Sequence, residues 1–407
     1  MTVLRRHLDI LCNYHDDYVA YGVECLGNAG GYSGATFWKV RGKKGTFCLR
    51  RWPAEYPTLE RLQFIHAVQW HARMEGFMRF PMPVETLEGM SYVAEDGYFW
   101  QLEPWMEGKA DFRKKPSVSR MVSAMTSLAE FHNAVKTFPV PAEKGTALTS
   151  LEHEKRLLCW TDSQLETLNE QILHETDPQR EIYGEVLEAS HKKTLKETLE
   201  EAQGKTLEEM PSVETRKVVF ISDLSDSDGL AGFDGWQMGN SVTIPCDTQI
   251  RVQEQLQAGA LRILQIVRTL REPVLRQLVR VSNQSLRLQP CLHDIHAAHL
   301  YFEKEQFQGF IDFGSLGIDT PAVDIARQLN ALTGSHPSRW LVGLAAYQSI
   351  RPLSAEELMA VQVFRKSTLL TTAIRWLDYI FMQNHPVKCS ARLVRRLEKL
   401  ADALERI

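Results

Sequence analysis

Four histidine and aspartate side chains crowd into the seven residues "HDIHAAH": His293, Asp294, His296 and His299. A further carboxylate, Asp312, follows within Ile-Asp-Phe-Gly at 311–314. One chemistry for this set is a metal held by His293, His296 and His299. On a helix each three-residue step turns the wheel by about 300°, so the three would spread over roughly 120° and converge only loosely. The stretch "HLYFEKEQFQGFIDFG" argues against a helix, because it reads as strand, polar turn, strand and leaves the histidines on a loop before a hairpin. A histidine in such a loop ordinarily serves as a cap or as a prop to another group. The other chemistry is phosphoryl transfer, which asks for one carboxylate at an acceptor hydroxyl and a second holding a metal on the phosphates. Asp294 and Asp312 lie eighteen residues apart, enough for one hairpin to bring the second carboxylate back beside the first.

The elements that would position these groups can be read from the pattern. The stretch from Tyr18 to Pro53 alternates and is broken by glycines, which predicts three antiparallel strands: one ending near Leu26, one over 35–41, one over 46–52, with "GKKG" as the hairpin. A helix starting at Pro57 or Thr58 carries Leu59, Leu62, Ile65 and Val68 as its buried stripe. Two short strands between residues 80 and 104 complete a five-stranded sheet. From there the pattern is helical, beginning with "SVSRMVSAMTSLAEFHNAV", whose Ser117 is placed to cap and whose Met121, Met125, Leu128 and Ala129 share a face. The expected organisation is an N-terminal lobe over 1–106, with a hinge near 104–106, and a helical lobe over 107–407. That lobe is interrupted by a polar, partly flexible insertion at 160–258 rich in Lys, Glu, Ser, Asp and Gly. Within it "DLSDSDG" lacks carboxylates at the positions a calcium loop requires and reads as a solvated loop. Leu393, Leu397, Leu400, Leu404 and Ile407 mark a last amphipathic helix, expected to dock on the core rather than on a membrane.

The chain has 407 residues, 44% hydrophobic and 24% charged, with a formal net charge of -4. That balance offers no basic field for nucleic acid. The opening residues lack a signal peptide's apolar run, and no stretch approaches the ~18 apolar residues that span a bilayer, so no membrane role is expected. Seven scattered cysteines without a Cys-x-x-Cys pair suit reduced thiols in a cytoplasmic protein. Oligomeric state is not legible.

Three segments in order, "LHDIHAAH" (292–299), "GFIDFG" (309–314) and "PAVDIA" (321–326), together with "SLAEFH" (127–132) and a glycine-rich first hairpin, give the chain a likeness. It resembles the aminoglycoside phosphotransferase and choline kinase branch of the protein-kinase-like fold. That family reads His-Gly-Asp-Leu-His-x-x-Asn, hairpin, Ile-Asp-Phe, then Pro-x-x-Asp-(Leu/Ile)-Ala. The resemblance covers most of the chain outside roughly 160–258. It implies an α+β two-lobed fold, a small antiparallel-sheet N-lobe on a larger, mainly helical C-lobe. It implies transfer of the gamma-phosphate of ATP, or another nucleoside triphosphate, to a hydroxyl of a small molecule, with Mg or Mn. Asp294 would orient or deprotonate the acceptor, and Asp312 and His299 would hold the metal. Gly30, Gly31, Ser33, Gly34 and Arg50 would hold the phosphates, while the Pro104 carbonyl and the Met106 N–H would receive the adenine.

Three departures from that pattern bear on the chemistry. Arg50 stands where the family has a lysine, with Glu60 as the available carboxylate on the helix and His66 further along it. Leu292 replaces the motif's first histidine. His299 replaces the asparagine, and its nitrogen suits manganese, zinc or iron better than magnesium. The alternative function is a nucleotide-binding pseudokinase acting as scaffold or regulator, and a third is a metallohydrolase on the three histidines.

Overall fold

Burial alternates along Thr36–Gly42 (β2) and Gly45–Arg51 (β3), and Val40 and Leu49 at their centres are fully buried. One face of this hairpin must therefore be covered, and the neighbouring elements cover it. The computed structural model describes residues 9–18, 21–28, 34–174, 246–334, 336–383 and 391–407. With β1 (Gly22–Gly27), β4 (Val93–Glu95) and β5 (Tyr98–Pro104) the hairpin forms an antiparallel five-stranded sheet in the order β1-β2-β3-β5-β4. Trp38, Val40, Phe47, Leu49, Trp100 and Leu102 pack there with Ile10, Leu11 and Tyr14. Helix α1 (Leu59–Met74) begins at Thr58, whose side chain accepts from the Arg61 N–H. Leu62, Ile65 and Val68 are buried as the stripe predicts, but Leu59, at the helix's first position and ahead of the core contact, is exposed.

The connection out of the sheet is pinned to both sides. The Trp105 N–H donates to the Thr46 carbonyl at 3.0 Å, and Lys109 and Phe302 exchange both backbone hydrogen bonds, at 2.9 and 3.0 Å. Gly108 makes this close approach possible: at φ 88 a Cβ would meet the Phe302 carbonyl oxygen at 2.6 Å. Beyond it lie α2 (Val118–Ala134), β6 (Lys144–Gly145), α3 (Leu148–Leu158), α4 (Asp162–His174), α5 (Cys246–Ser282), β7 (Leu286–Arg287) and β8 (Gln289–Cys291). The hairpin β9 (Leu300–Glu303) and β10 (Gln306–Phe310) follows, then β11 (Gly317–Asp319), which pairs with β8. Helices α6 (Ala322–Thr333), α7 (Pro337–Gln348), α8 (Ala355–Phe381) and α9 (Ala391–Glu405) complete the chain.

The polar stretch read over 160–258 is ordered at both ends. Leu165, Leu168 and Ile172 recur at helical spacing and are buried, which makes 162–174 a core helix, and α5 already begins at Cys246. The "DLSDSDG" loop lies outside the described residues. Helix α9 docks as expected: Leu393, Leu397, Leu400 and Leu404 are buried, and Arg262 of α5 pairs with Asp402 at 2.9 Å and Glu405 at 2.6 Å. Among the described residues no helix is long and apolar enough to cross a membrane.

Candidate functional site

The loop between β8 and β9 is shaped from below by one carboxylate. Asp324, fully buried near the start of α6, accepts the N–H groups of Leu292 at 2.6 Å and His293 at 2.8 Å. Its Oδ2 also meets His132 Nε2 at 3.1 Å, while His132 Nδ1 lies 2.7 Å from the Tyr347 hydroxyl. The consistent assignment has Tyr347 donating to Nδ1 and Nε2–H donating to Asp324. Burial, the largest single influence, would raise the Asp324 carboxyl, but the His132 hydrogen bond, the neighbouring histidines and the Leu292 N–H together outweigh it and keep the group below the usual carboxylate range. Burial conversely drives His132 down, so the imidazole is neutral. A charge-assisted carboxylate thus satisfies two backbone donors that the loop's irregular course would otherwise leave open.

His293 occupies the left-handed region at φ 61, in the place where the resembling motif has glycine. Its ring turns away from the other histidines, with Nε2 3.6 Å from Asp319 Oδ2. Asp319 is itself engaged by the N–H and hydroxyl of Thr149, at 2.9 and 2.7 Å. The three-histidine cluster is therefore not assembled. Asp294, His296 and His299 do converge, with possible ligand atoms within 4.8 Å of one another. The His296 and His299 rings stack at 3.7 Å between centroids. His296 Nδ1 accepts from the Ala298 N–H at 3.2 Å, and burial drives this histidine far below its ordinary pKa, so it props the loop as a neutral ring.

His299 Nδ1 donates to the Asp294 backbone carbonyl at 2.9 Å, which leaves Nε2 facing Asp312 Oδ2 at 3.8 Å. Two ligands each ~2.1 Å from one cation lie about 3–4 Å apart, so this N/O pair suits a divalent metal between them. The other oxygen of Asp312 is committed elsewhere. Its Oδ1 accepts from Arg50 Nη1 at 3.1 Å and from the Gly314 N–H at 3.4 Å. Burial would raise the Asp312 carboxyl, but Arg50 and then His299 outweigh it and hold the group well below the carboxylate range.

Arg50 reaches the site from β3, its guanidinium lying over the Trp52 ring at 3.4 Å from the centroid. Stacking of this kind is open to a flat guanidinium and not to an ammonium. The helix carboxylate available from sequence does not join it: Glu60 is exposed in the first turn of α1, beside its cap Thr58. Helix α1 contributes His66 instead. Gln101 Oε1 accepts from His66 Nε2 at 3.0 Å and from Trp52 Nε1 at 3.2 Å, while Gln101 Nε2 donates to Glu103 at 2.8 Å. Burial drives His66 down to about 4. Burial also lifts Glu103 to about 7, against the pull of Arg50 and with the help of the Asp312 charge.

The structure brings Asp294, His299, Asp312 and Arg50 together. Pro104 ends β5 and Met106 follows on the connection, its side chain against the backbone of Gly309. Gly34 has φ 73 and sits against Pro53. Gly30, Gly31 and Ser33 lie outside the described residues. Sequence reasoning did not single out Trp52, Gln101, Asp319 or Asp324 for a role. Asp324 had a signal in "PAVDIA", whereas Gln101 is recognisable only from the register that sets it opposite Arg50.

A five-stranded sheet hinged to a helical lobe, with an Asp-bearing loop, a hairpin and Ile-Asp-Phe-Gly at their junction, defines an α+β protein-kinase-like fold. The chain belongs to the phosphotransferase enzyme family, whose model matches residues 24–358. No curated protein matches it at a level that would mark a relative. Among solved structures it is similar to an aminoglycoside phosphotransferase from Alicyclobacillus acidocaldarius, with 14% identity and TM-score 0.52 over 98% of this chain and 92% of that one. It is also similar to a spectinomycin phosphotransferase solved with ADP and spectinomycin, at 10% identity and TM-score 0.53 over 99% and 98%. A microcompartment-associated aminopropanol kinase aligns at 13% identity and TM-score 0.52 over 99% and 100%.

Proposed function

We propose that the protein moves the gamma-phosphate of ATP, or of another nucleoside triphosphate, to a hydroxyl of a small molecule, in the cytoplasm. The observation that carries this reading is the convergence of Asp294, His299, Asp312 and Arg50, with the His299 Nε2 to Asp312 Oδ2 spacing of 3.8 Å and the Arg50 to Asp312 contact of 3.1 Å. Asp294 orients the acceptor hydroxyl and takes its proton. The acceptor oxygen forms its bond to the gamma-phosphorus as the bond to the beta-bridging oxygen breaks, and the nucleoside diphosphate leaves in line. Arg50 and the glycine-rich turn of Gly30, Gly31, Ser33 and Gly34 hold the phosphates, and the Pro104 carbonyl and Met106 N–H hold the base. Proline lacks only a donor, so its carbonyl is free for that part.

His299 and Asp312 would hold Mg or Mn, the imidazole favouring Mn. Bound there, the cation neutralises phosphate charge. The test is a screen of hydroxylated metabolites with labelled ATP and either metal. Turnover that disappears in Asp294→Ala and Asp312→Asn supports the reading, and turnover unchanged in Asp294→Ala defeats it. A second reading, the nucleotide-binding pseudokinase, draws on the guanidinium seated on the carboxylate meant for metal. It predicts nucleotide binding with no acceptor turned over by the wild type.

A further inference from the structure

A cavity of about 360 Å³ opens between the C-terminal half of α3 and the middle of α8, and none of its lining residues belongs to the 292–299 loop or to 311–314. The volume is of the order that holds a small metabolite. Among the described residues Lys155, Arg156 and Arg375 line it, with Glu152 as the single lining carboxylate, and Trp160 and Ile374 supply apolar wall. Lys155 is exposed, as a solvated helix face would have it, but Arg156, Arg375 and Trp160 are half-buried.

The positive field extends behind the cavity. His153 is buried, with Nδ1 2.8 Å from the Ser367 hydroxyl, and is held neutral at about 3 by burial first and then by Arg327, Arg156 and Arg375. The Nε of Arg327 is buried and has no hydrogen-bond partner among the described residues. Glu154, the next carboxylate along α3, accepts from the Ser282 hydroxyl at 3.1 Å. Guanidiniums gathered in a half-buried place repel one another, and an anion relieves that repulsion more strongly there than in open water.

We propose that this cavity binds a small organic anion, its carboxylate or phosphate taken by Arg156 and Arg375 and its apolar body lying against Trp160 and Ile374. Arginine forks suit either anion. The anion has two possible sources, a charged group on the acceptor itself or a separate anionic metabolite. The same field disfavours a polycationic occupant.

The test is calorimetric titration of the full chain with phenyl phosphate, in the absence of nucleotide and divalent metal. Benzamidine, a cation on the same ring, is the control. The expected result is saturable one-to-one binding of phenyl phosphate alone, weakened by added salt and lowered at least about tenfold in Arg156→Gln/Arg375→Gln. Glu152→Gln, a change at an exposed position that leaves the arginines in place, is expected to tighten binding. This keeps the claim testable should the double variant fail to fold. Absent binding, equal binding of benzamidine, or affinity indifferent to both variants overturns the proposal. For an acceptor found by screening, a KM raised in the double variant with kcat kept makes the anion the acceptor's own. An unchanged KM alongside lost phenyl phosphate binding makes it a separate metabolite. The titration contains no nucleotide, so its failure leaves the phosphoryl-transfer reading untouched, and the reverse holds.

Discussion

Asp312 divides its two oxygens between an arginine and a histidine, and each half has a measurable consequence. Removing the carboxylate leaves Arg50, 6% exposed, without its charge partner, although a third of the Asp312 side chain meets solvent. Asp312→Ala should therefore cost on the order of 1–3 kcal/mol in urea unfolding, less than for a fully buried pair. Because the folded carboxyl is held below its ordinary value, the contribution is present above about pH 4 and is lost as pH falls through the folded value. Glu103 has the opposite sign. Its folded value is raised to about 7, so its contribution is full below about pH 4.5 and is lost as pH rises through 7. Glu103→Gln should accordingly raise the unfolding midpoint at pH 8 and lose that advantage near pH 4.5. At this scale the sequence showed the two aspartates and the odd histidine at 299. It could not show that Arg50 is answered by Asp312 rather than by Glu60, because that pairing spans 262 residues and depends on how the lobes meet.

Two elements hold the loop in place, and both can be loosened without touching a reacting group. Asp324 on α6 accepts the Leu292 and His293 N–H groups and the His132 imidazole. Asp324→Ala strands all three, and a loss of about 3–5 kcal/mol in denaturant unfolding is expected. Gly309 on β10 lies so close to the connection between α1 and β4 that an added Cβ would stand 2.6 Å from the Arg79 carbonyl oxygen. Gly309→Ala should cost about 1–3 kcal/mol by the same measurement, as the hairpin shifts away from Arg79. The strands were readable from alternation and glycine placement, and α1, α2 and α9 from their stripes, since burial on one face leaves a periodic mark. The lysine- and glutamate-rich character beyond residue 174 masked the buried Leu165, Leu168 and Ile172 just before it. His293 read as one more candidate ligand, because a positive φ leaves no trace in residue type unless glycine occupies it.

Over the whole molecule, burial makes neutral imidazoles a shared liability. His66, His132, His153 and His296 all have lowered values, so the unfolded chain binds more protons than the folded one as pH drops below about 6.5. Unfolding free energy should fall below that pH with a slope approaching about 1.4 kcal/mol per pH unit for each such histidine. Urea titrations between pH 7 and 5 would read it. What the lobes enclose depends on the junction where β3, the loop and the hairpin end meet, which under the proposed function binds a nucleotide through a metal. The most direct measurement is calorimetric titration of a non-hydrolysable ATP analogue with Mn into wild type, Asp312→Asn and His299→Ala. Wild type is expected to bind saturably and only with the metal, and binding is expected to weaken by about tenfold or more in both variants. Equal affinity in all three proteins, or binding indifferent to Mn, would contradict it.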